Sequence, residues 1–394
     1  MTLDWLIIGG GIHGVHIAAR LIGEAQIAPE RLRIVDPSDR LLARWRSCTA
    51  ATGMTHLRSA SVHHLGIDHG ALRNFAGKQK SRKPGMFALP YARPSLSLFN
   101  SHCDHIEETF GLADLHIRNR ALKCSIEQER VEVQLDNGCE LDTQNLVLAI
   151  GSSEQPKWPK WAPQSNPYVH HIFEPEFDGW PSGHQTVMVV GGGISEAHVV
   201  LRLVKEGHHV HLVSRHALRQ NQFDSDPAWL GWKYTAHFSR EQNPKQRREM
   251  ITKARHSGSV PPEVARSLRR AIANKQLWWH EGEISQLVIR DNGILASIET
   301  GTNVFADRLL LATGFASKRP GGAMVDELIS SASLACACCG YPIIDTKLRW
   351  HPRIYVSGPL AELELGPVSR NIAGARRAGD RIVGAALKTI KAEE

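Results

Sequence analysis

No stretch of this 394-residue chain is both long enough and free enough of charge to cross a bilayer as a helix, so a helical membrane span is excluded. Met1-Thr2-Leu3-Asp4 carries an acid and no basic residue, which argues against a secretory leader; the apolar run over residues 5–11 reads instead as a buried first strand. Cysteine is scarce and odd in number, at seven, which disfavours a disulfide framework and predicts reduced thiols in the cytoplasm. No nucleic-acid recognition motif accompanies the formal net charge of +7. The positive surplus is therefore assigned to anionic small ligands such as pyrophosphates and sugar phosphates, with no nucleic acid as partner. His63, His64 and His69 lack the second ligand cluster that a metal site needs, so no metal is expected.

The chain does have 42% hydrophobic and 22% charged residues, the balance of a soluble globular protein, and length for two or three domains. Two glycine turns frame it. Gly9-Gly10-Gly11-Ile12-His13-Gly14 follows Leu6-Ile7-Ile8, and Gly191-Gly192-Gly193-Ile194-Ser195-Glu196 follows Val187-Met188-Val189-Val190. Each sits where a strand would turn into a helix. One such turn suggests one nucleotide; two suggest electron transfer between two.

The apolar periodicity predicts strand 4–9, helix 14–21 and strand 33–36, a right-handed βαβ unit. Residues 48–83 read as irregular and 93–110 as a helix. Strands 131–135 and 141–148 flank Asp136-Asn137-Gly138, a hairpin signal. Residues 151–163 look like a crossing linker. A second unit follows, with strands 187–190 and 210–213, helix 196–206, and Gly207 as its cap. A polar, Arg-rich and mostly helical segment over 215–274 interrupts it, and strands 287–290, 296–299 and 309–311 are expected to resume it. Residues 353–390 read as strand, Gly/Pro turn, and a helix starting near Asn371. The predicted fold is α/β: two Rossmann-like dinucleotide-binding domains, the second inserted in the first, plus a small helical insertion. The first domain takes residues 1–165 and 316–394, the second 184–214 and 275–315, and the insertion 215–274 borders the substrate.

In the first turn Gly9 permits the tight bend, Gly11 lets the backbone approach a pyrophosphate, and Gly14 allows close helix–strand packing. Asp36 ends the second strand, where an acid accepts from ribose hydroxyls and disfavours a 2′-phosphate, so this site fits FAD or NAD. Gly9, Gly11, Ile12, His13, Gly14 and Asp36 are its candidate contacts. The second turn has Glu196 in place of its third glycine, and its second strand ends in Ser214-Arg215-His216 with no acid. An Arg there suits the 2′-phosphate of NADPH, which makes Gly191, Gly193, Ile194, Ser195 and Arg215 the second set.

With an Ala312-Thr313-Gly314 segment before the C-terminal part, this order resembles the class B flavoprotein monooxygenases, and among them the lysine and ornithine N-hydroxylases. Asp307-x-x-x-Leu311-Ala312-Thr313-Gly314-Phe315-x-x-x-x-Pro320 is the most specific match, departing only in Phe for Tyr. The second turn is similar to their Gly-Gly-Gly-x-Ser-Ala form, with Ser195 kept. Residues 93–103 resemble their Arg-x-x-Phe helix with Leu96 for Phe, and Phe223-Asp224-Ser225-Asp226-Pro227 the acidic start of their insertion. The Phe-x-Gly-x-x-x-His motif of Baeyer–Villiger enzymes is not intact; only His170-His171-x-Phe173 lies near its place. The Gly-Asp pair that many FAD reductases use near the C-terminus is here Gly358-Pro359.

The resemblance implies FAD and NADPH as cofactors, O2 and a small molecule as substrates, and a C4a-hydroperoxyflavin whose distal oxygen goes to nitrogen or sulfur, with an amino-acid-like amine among the candidate substrates. It also explains the lack of a Ser-His-Asp set or paired carboxylates, since the cofactor carries the hard chemistry. Trp45, Met54, Gly151, Gly366, Pro367, Asn371 and Ile372 are expected along the flavin, and His56, Arg58 and Asn371 nearest flavin or substrate. A homo-oligomer stays open. The first rival is an NAD(P)H-dependent flavin reductase of disulfides or quinones that transfers no oxygen, for which Cys336-x-x-Cys339 is the only formal dithiol. The second is a non-catalytic flavin-binding sensor or scaffold. The Arg-rich stretch 245–270 reads as a solvated helix face rather than a partner site.

Overall fold

A computed structural model describes residues 2–78, 82–175 and 177–393; Met1, the first residue of the leader argument, lies outside them. The first sheet places its strands in the order Arg349–His351, Ile354–Val356, Glu140–Leu148, Leu3–Ile8, Leu32–Asp36, His116–Arg118, with Ala121–Glu127 and Arg130–Leu135 added as antiparallel hairpins. Its centre is parallel, Ile7 pairing with both Ile34 and Val147. All three are fully buried, as befits strands covered on both faces, which read as continuous apolar runs. Helix Ile12–Gly23 lies against the C-terminal helix Ile372–Glu393, so the two ends of the chain close one domain.

The second sheet is wholly parallel, in the order Leu277–Glu281, His209–Ser214, Thr186–Val190, Arg308–Leu311, Val169–His171. Helix Ile194–Lys205 covers one face together with helix Pro262–Ala273, which packs on it and on strand Leu277–Glu281. Gly207, at φ +88°, follows the first of these helices, in the cap position its sequence predicts.

One expectation needs correction. Residues 287–290 and 296–299 do not resume the second unit. They belong to strands Ile284–Arg290 and Gly293–Ile298, which with Asn303–Ala306 form a separate antiparallel meander. The turn Asp291-Asn292-Gly293 joins the first two with Gly293 at φ +157°, and burial on one face only is the mark of an antiparallel sheet. The strand that resumes the unit is Leu277–Glu281, whose Trp278-Trp279 pair is aromatic rather than aliphatic.

The Arg-rich stretch is also not simply a solvated face. Helices Trp232–Arg240 and Pro244–Ala254 dock on the C-terminal part through a small core of Trp229, Phe238, Ile251, Tyr341, Leu363 and Val368. Around it, the fully buried Glu362 takes ion pairs from Arg248, from Arg255 at 2.9 Å and from Arg370 at 2.6 Å. Glu364 takes Arg247 at 2.8 Å and Arg381 at 2.7 Å. Arg370 also donates to the Tyr341 hydroxyl at 2.7 Å, and the Arg248 guanidinium lies 4.2 Å from that ring's centroid.

Candidate nucleotide sites

The first turn is built as a phosphate cradle. Gly9 has φ +113°, its N–H donates to Val35 at 2.9 Å, and a Cβ there would lie 2.6 Å from the Ala149 carbonyl oxygen. A Cβ on Gly14 would lie 1.9 Å from the Gly9 carbonyl oxygen, so only glycine lets helix Ile12–Gly23 come this close. Gly11 differs: a Cβ there would meet nothing within 4 Å, so its backbone faces open space. The helix that follows has no side-chain cap and no acid in its first turn, leaving its amides and dipole to an anion. Asp36 is held at the strand end by the N–H groups of Gly10 at 2.7 Å and Ser38 at 2.9 Å. Each carboxylate oxygen keeps a further lone pair for a ribose hydroxyl. His13 Nδ1 shares a hydrogen bond with Ser357 Oγ at 2.7 Å, while its Nε2 has no partner. Burial lowers its pKa to about 4, so the ring is neutral near pH 7. These residues fit an FAD pyrophosphate and ribose.

The expected flavin-side residues have varied surroundings. Trp45 packs 5.4 Å from Phe99 and donates to Asn100 Oδ1 at 3.1 Å, and the half-buried Met54 rests on the first core. Gly151 is exposed. Asn371 caps the C-terminal helix: its Oδ1 accepts from the Gly374 N–H at 3.0 Å, and Ile372 is the helix's first residue. Gly366, at φ +78°, has the rings of Trp229 and Phe238 at 3.5–3.7 Å from where its Cβ would be, and Pro367 is buried beside it.

His56 and Arg58 are already engaged within the protein. His56 Nε2 pairs with the Gly85 carbonyl at 2.8 Å. Arg58 donates to the carbonyls of Asn221, Gln222 and Phe223 at 2.7–2.9 Å and to Ser259 Oγ at 3.0 Å. That geometry makes Arg58 a clamp between the first domain and the segment following the second turn.

The second turn repeats the first with one change. The Gly191 N–H donates to Val213 at 3.1 Å, and a Cβ on Gly191 would lie 2.8 Å from the Ala312 carbonyl oxygen. Gly193, the counterpart of Gly11, is covered: a Cβ there would stand 3.6 Å from Gly258 Cα and 3.7 Å from Glu196 Oε2. Ile194 and Ser195 are half-buried at the helix start. Glu196 is only 2% exposed, and burial raises its pKa to about 8 although the backbone amides of Gly193, Glu196 and Ala197 pull the other way. Arg215 is 67% exposed, with Glu283 3.6 Å away, so its guanidinium is free to take a second anion. The donors suit a nicotinamide dinucleotide, and Gly258 and the Glu196 carboxyl stand beside Gly193, where its pyrophosphate would approach.

The Ala312-Thr313-Gly314 segment crosses between the domains. Thr313 Oγ1 meets His171 Nε2 at 3.1 Å, the Gly314 carbonyl accepts from the Lys157 N–H at 2.9 Å, and Phe315 stacks on Phe173 with centroids 4.7 Å apart. Sequence reasoning missed Ser357, Gly258 and Glu362, and met His171 only as part of a motif that is not intact. Only Glu196 had left a signal, as a glycine that was not there.

Residues 6–153 match the sequence model of a family described as FAD-NAD(P)-binding, and residues 100–245 that of the pyridine nucleotide-disulphide oxidoreductases. No curated protein sequence matches significantly. Among solved structures, ornithine hydroxylase from Pseudomonas aeruginosa is 14% identical with a TM-score of 0.77, over 99% of this chain and 100% of that one. Ornithine N-hydroxylase from Kutzneria sp. 744, solved with reduced FAD, NADP+ and L-ornithine, is 15% identical with a TM-score of 0.77 over 99% and 100%. The bacillithiol disulfide reductase of Staphylococcus aureus is 15% identical with a TM-score of 0.64 over 99% of both chains. The fold is thus that of the flavoproteins with two dinucleotide domains, shared by the N-hydroxylating monooxygenases. No helix among the described residues is long and apolar enough to cross a membrane.

Proposed function

We propose that this chain is an FAD- and NADPH-dependent monooxygenase that places one oxygen atom on the nitrogen, or sulfur, of a small molecule, in the first instance an amine with an amino-acid-like frame. The observation that carries the reading is the inequality of the two turns within this fold: a full flavin-type cradle with Asp36, and a second turn with the exposed Arg215. Two electrons come from NADPH, one oxygen atom of O2 goes to the substrate, and the other leaves as water. Bound FAD supplies the hydride acceptor and the oxygen chemistry.

The chain's own residues bind and orient. Amides of the first turn and Asp36 hold the pyrophosphate and ribose of FAD. The helix capped by Asn371 presents its positive end at the mouth of the site. Arg215 takes the 2′-phosphate. The arginine–Glu362 seam keeps the insertion closed over the C-terminal part, which helps to exclude water from the chemistry.

The test is a balance of products. Purified protein is expected to be yellow and, with a set of diamino acids, to form a product one oxygen atom heavier for each NADPH and O2 consumed. Oxidation of NADPH with a disulfide reduced and no oxygen incorporated would favour the reductase reading instead, which the match over residues 100–245 and the exposed Cys338 and Cys339 support. A colourless protein that takes up no FAD would end both.

A further inference from the structure

The two turns differ most at their sixth residue. At Gly14 there is no side chain, and a Cβ on Gly11 would meet nothing within 4 Å. At the matching position Glu196 is buried and turns its carboxyl towards Gly193, with Oε2 3.7 Å from where a Cβ on that residue would stand; the amides of Gly193, Glu196 and Ala197 pull its pKa down against the larger effect of burial. Gly193 is the N-cap of helix Ile194–Lys205, and those are the groups that a dinucleotide pyrophosphate would use. The helix has an acid in its first turn where helix Ile12–Gly23 has none.

A capping glutamate reaching back to the N-cap N–H would explain the backbone contacts, but glutamate is almost never fully buried unless paired. Glu196 is buried all the same. The segment around Gly258 packs on the same turn: a Cβ on Gly193 would stand 3.6 Å from Gly258 Cα beside Glu196 Oε2 at 3.7 Å, and a Cβ on Gly258 would meet the Gly192 carbonyl oxygen at 3.1 Å and His216 Nε2 at 2.5 Å. This cover is not loose. Ser259–Val260 pairs with Arg219–Gln220, and Arg58 from the first domain grips Ser259 and the carbonyls of residues 221–223.

We propose that Glu196 is a resident plug in the phosphate seat of the second turn: its carboxyl stands in for the pyrophosphate, and a nicotinamide dinucleotide binds by displacing it from beneath the Gly258 segment. The proposal rests on the NADPH reading above and deepens it. Glu196 becomes the residue that keeps the second nucleotide weakly held and exchangeable, while the first turn, with nothing in its seat, keeps FAD. Arg58 ties the cover to the first domain.

The experiment measures NADP+ binding to the flavin-loaded protein by calorimetry, for wild type, Glu196→Ala and Glu196→Ser, with 2′-AMP as a second probe. 2′-AMP carries the phosphate that Arg215 would hold but no pyrophosphate. Both variants should bind NADP+ about tenfold more tightly or better, with 2′-AMP affinity unchanged. Either variant suffices if the other does not fold. An NADP+ affinity equal to or below wild type in the variants, with 2′-AMP still bound, overturns the plug and leaves the NADPH reading standing. Equal gains for both probes also overturn it, because the effect would then lie outside the pyrophosphate seat. Failure of all three proteins to bind either probe while retaining FAD removes the NADPH reading, and the plug with it.

Discussion

Glu362→Gln should destabilise this protein more than any other isosteric change in it. The wild-type carboxylate is fully buried and faces three guanidiniums: Arg248, Arg255 at 2.9 Å, and Arg370, whose Nε and Nη2 lie at 2.6 and 3.1 Å. Burial alone already strains this cluster. The pKa of Arg255 is pulled down to about 10, first by desolvation and then by the charge of Arg370. A glutamine keeps the shape but turns one acceptor oxygen into a donor that points at donors, and it leaves three cations without their common anion. Breaking a buried pair from one side costs about 3–5 kcal/mol. That is a large share of the roughly 5–15 kcal/mol that holds a typical domain together.

The assay is urea unfolding followed by tryptophan fluorescence, with trypsin cleavage within residues 232–254 as a local readout. The variant should unfold earlier and be cut faster in helix Pro244–Ala254, because Arg248 and Arg255 have lost their anchor. A double-mutant cycle separates charge from packing. If uncompensated charge is the cause, adding Arg255→Met to Glu362→Gln should cost less than the same change in wild type. A loss under about 1 kcal/mol with unchanged cleavage would refute the reasoning, since exposed pairs are worth about that much or less.

Gly14→Ala should abolish FAD binding and lower stability, because its Cβ would lie 1.9 Å from the Gly9 carbonyl oxygen; Gly11→Ala, with open space at its Cβ, should fold normally and weaken FAD alone, and equal damage from both would contradict this geometry. Arg215→Ala should leave the melting temperature unchanged, since its pair with Glu283 is exposed, and should narrow the NADPH-over-NADH preference by about tenfold or more; an unaltered preference takes Arg215 out of the site. For Glu196 the folded pKa, about 8, lies above the ordinary 4.5, so its contribution is fully present below about 4.5 and is lost as pH rises through about 8. At about 1.36 kcal/mol per pH unit the loss is at most about 5 kcal/mol. Glu196→Gln should therefore flatten the decline in melting temperature towards pH 8, with Glu107, raised to about 7, still contributing in both proteins; parallel profiles would disprove the assignment.

What could be read from the sequence is what local patterns encode. The two strand–glycine–helix units, the hairpin at Asp136-Asn137-Gly138, the cap at Gly207 and the helix start at Asn371 each depend on neighbours a few residues away. Strand Leu277–Glu281 escaped because Trp278-Trp279 lacks the aliphatic pattern of a buried parallel strand. The arginine seam escaped for a different reason. Glu362 lies more than a hundred residues along the chain from both Arg248 and Arg255, and a charge reads as solvent-facing until its partner is known. Arg58 likewise meets carbonyls more than 160 residues away, so its part as a clamp rather than a free polar group is a tertiary fact.

The deepest difference lies in one side chain. Gly9 and Gly191 make the same approach to Ala149 and Ala312, 2.6 and 2.8 Å from a notional Cβ to the carbonyl oxygen, so the two turns begin alike. At the sixth position Gly14 lets the helix close onto the turn, whereas a Cβ on Gly191 would be 3.1 Å from the Cβ of Glu196, which fills the space between helix and strand. The first helix therefore brings bare amides to an open seat, and the second brings amides already facing a carboxyl. An open seat suits a flavin that stays through every turnover, and an occupied one suits a nicotinamide that is exchanged. On this argument Glu196 is not a decayed glycine. It separates a permanent cofactor from a consumable one.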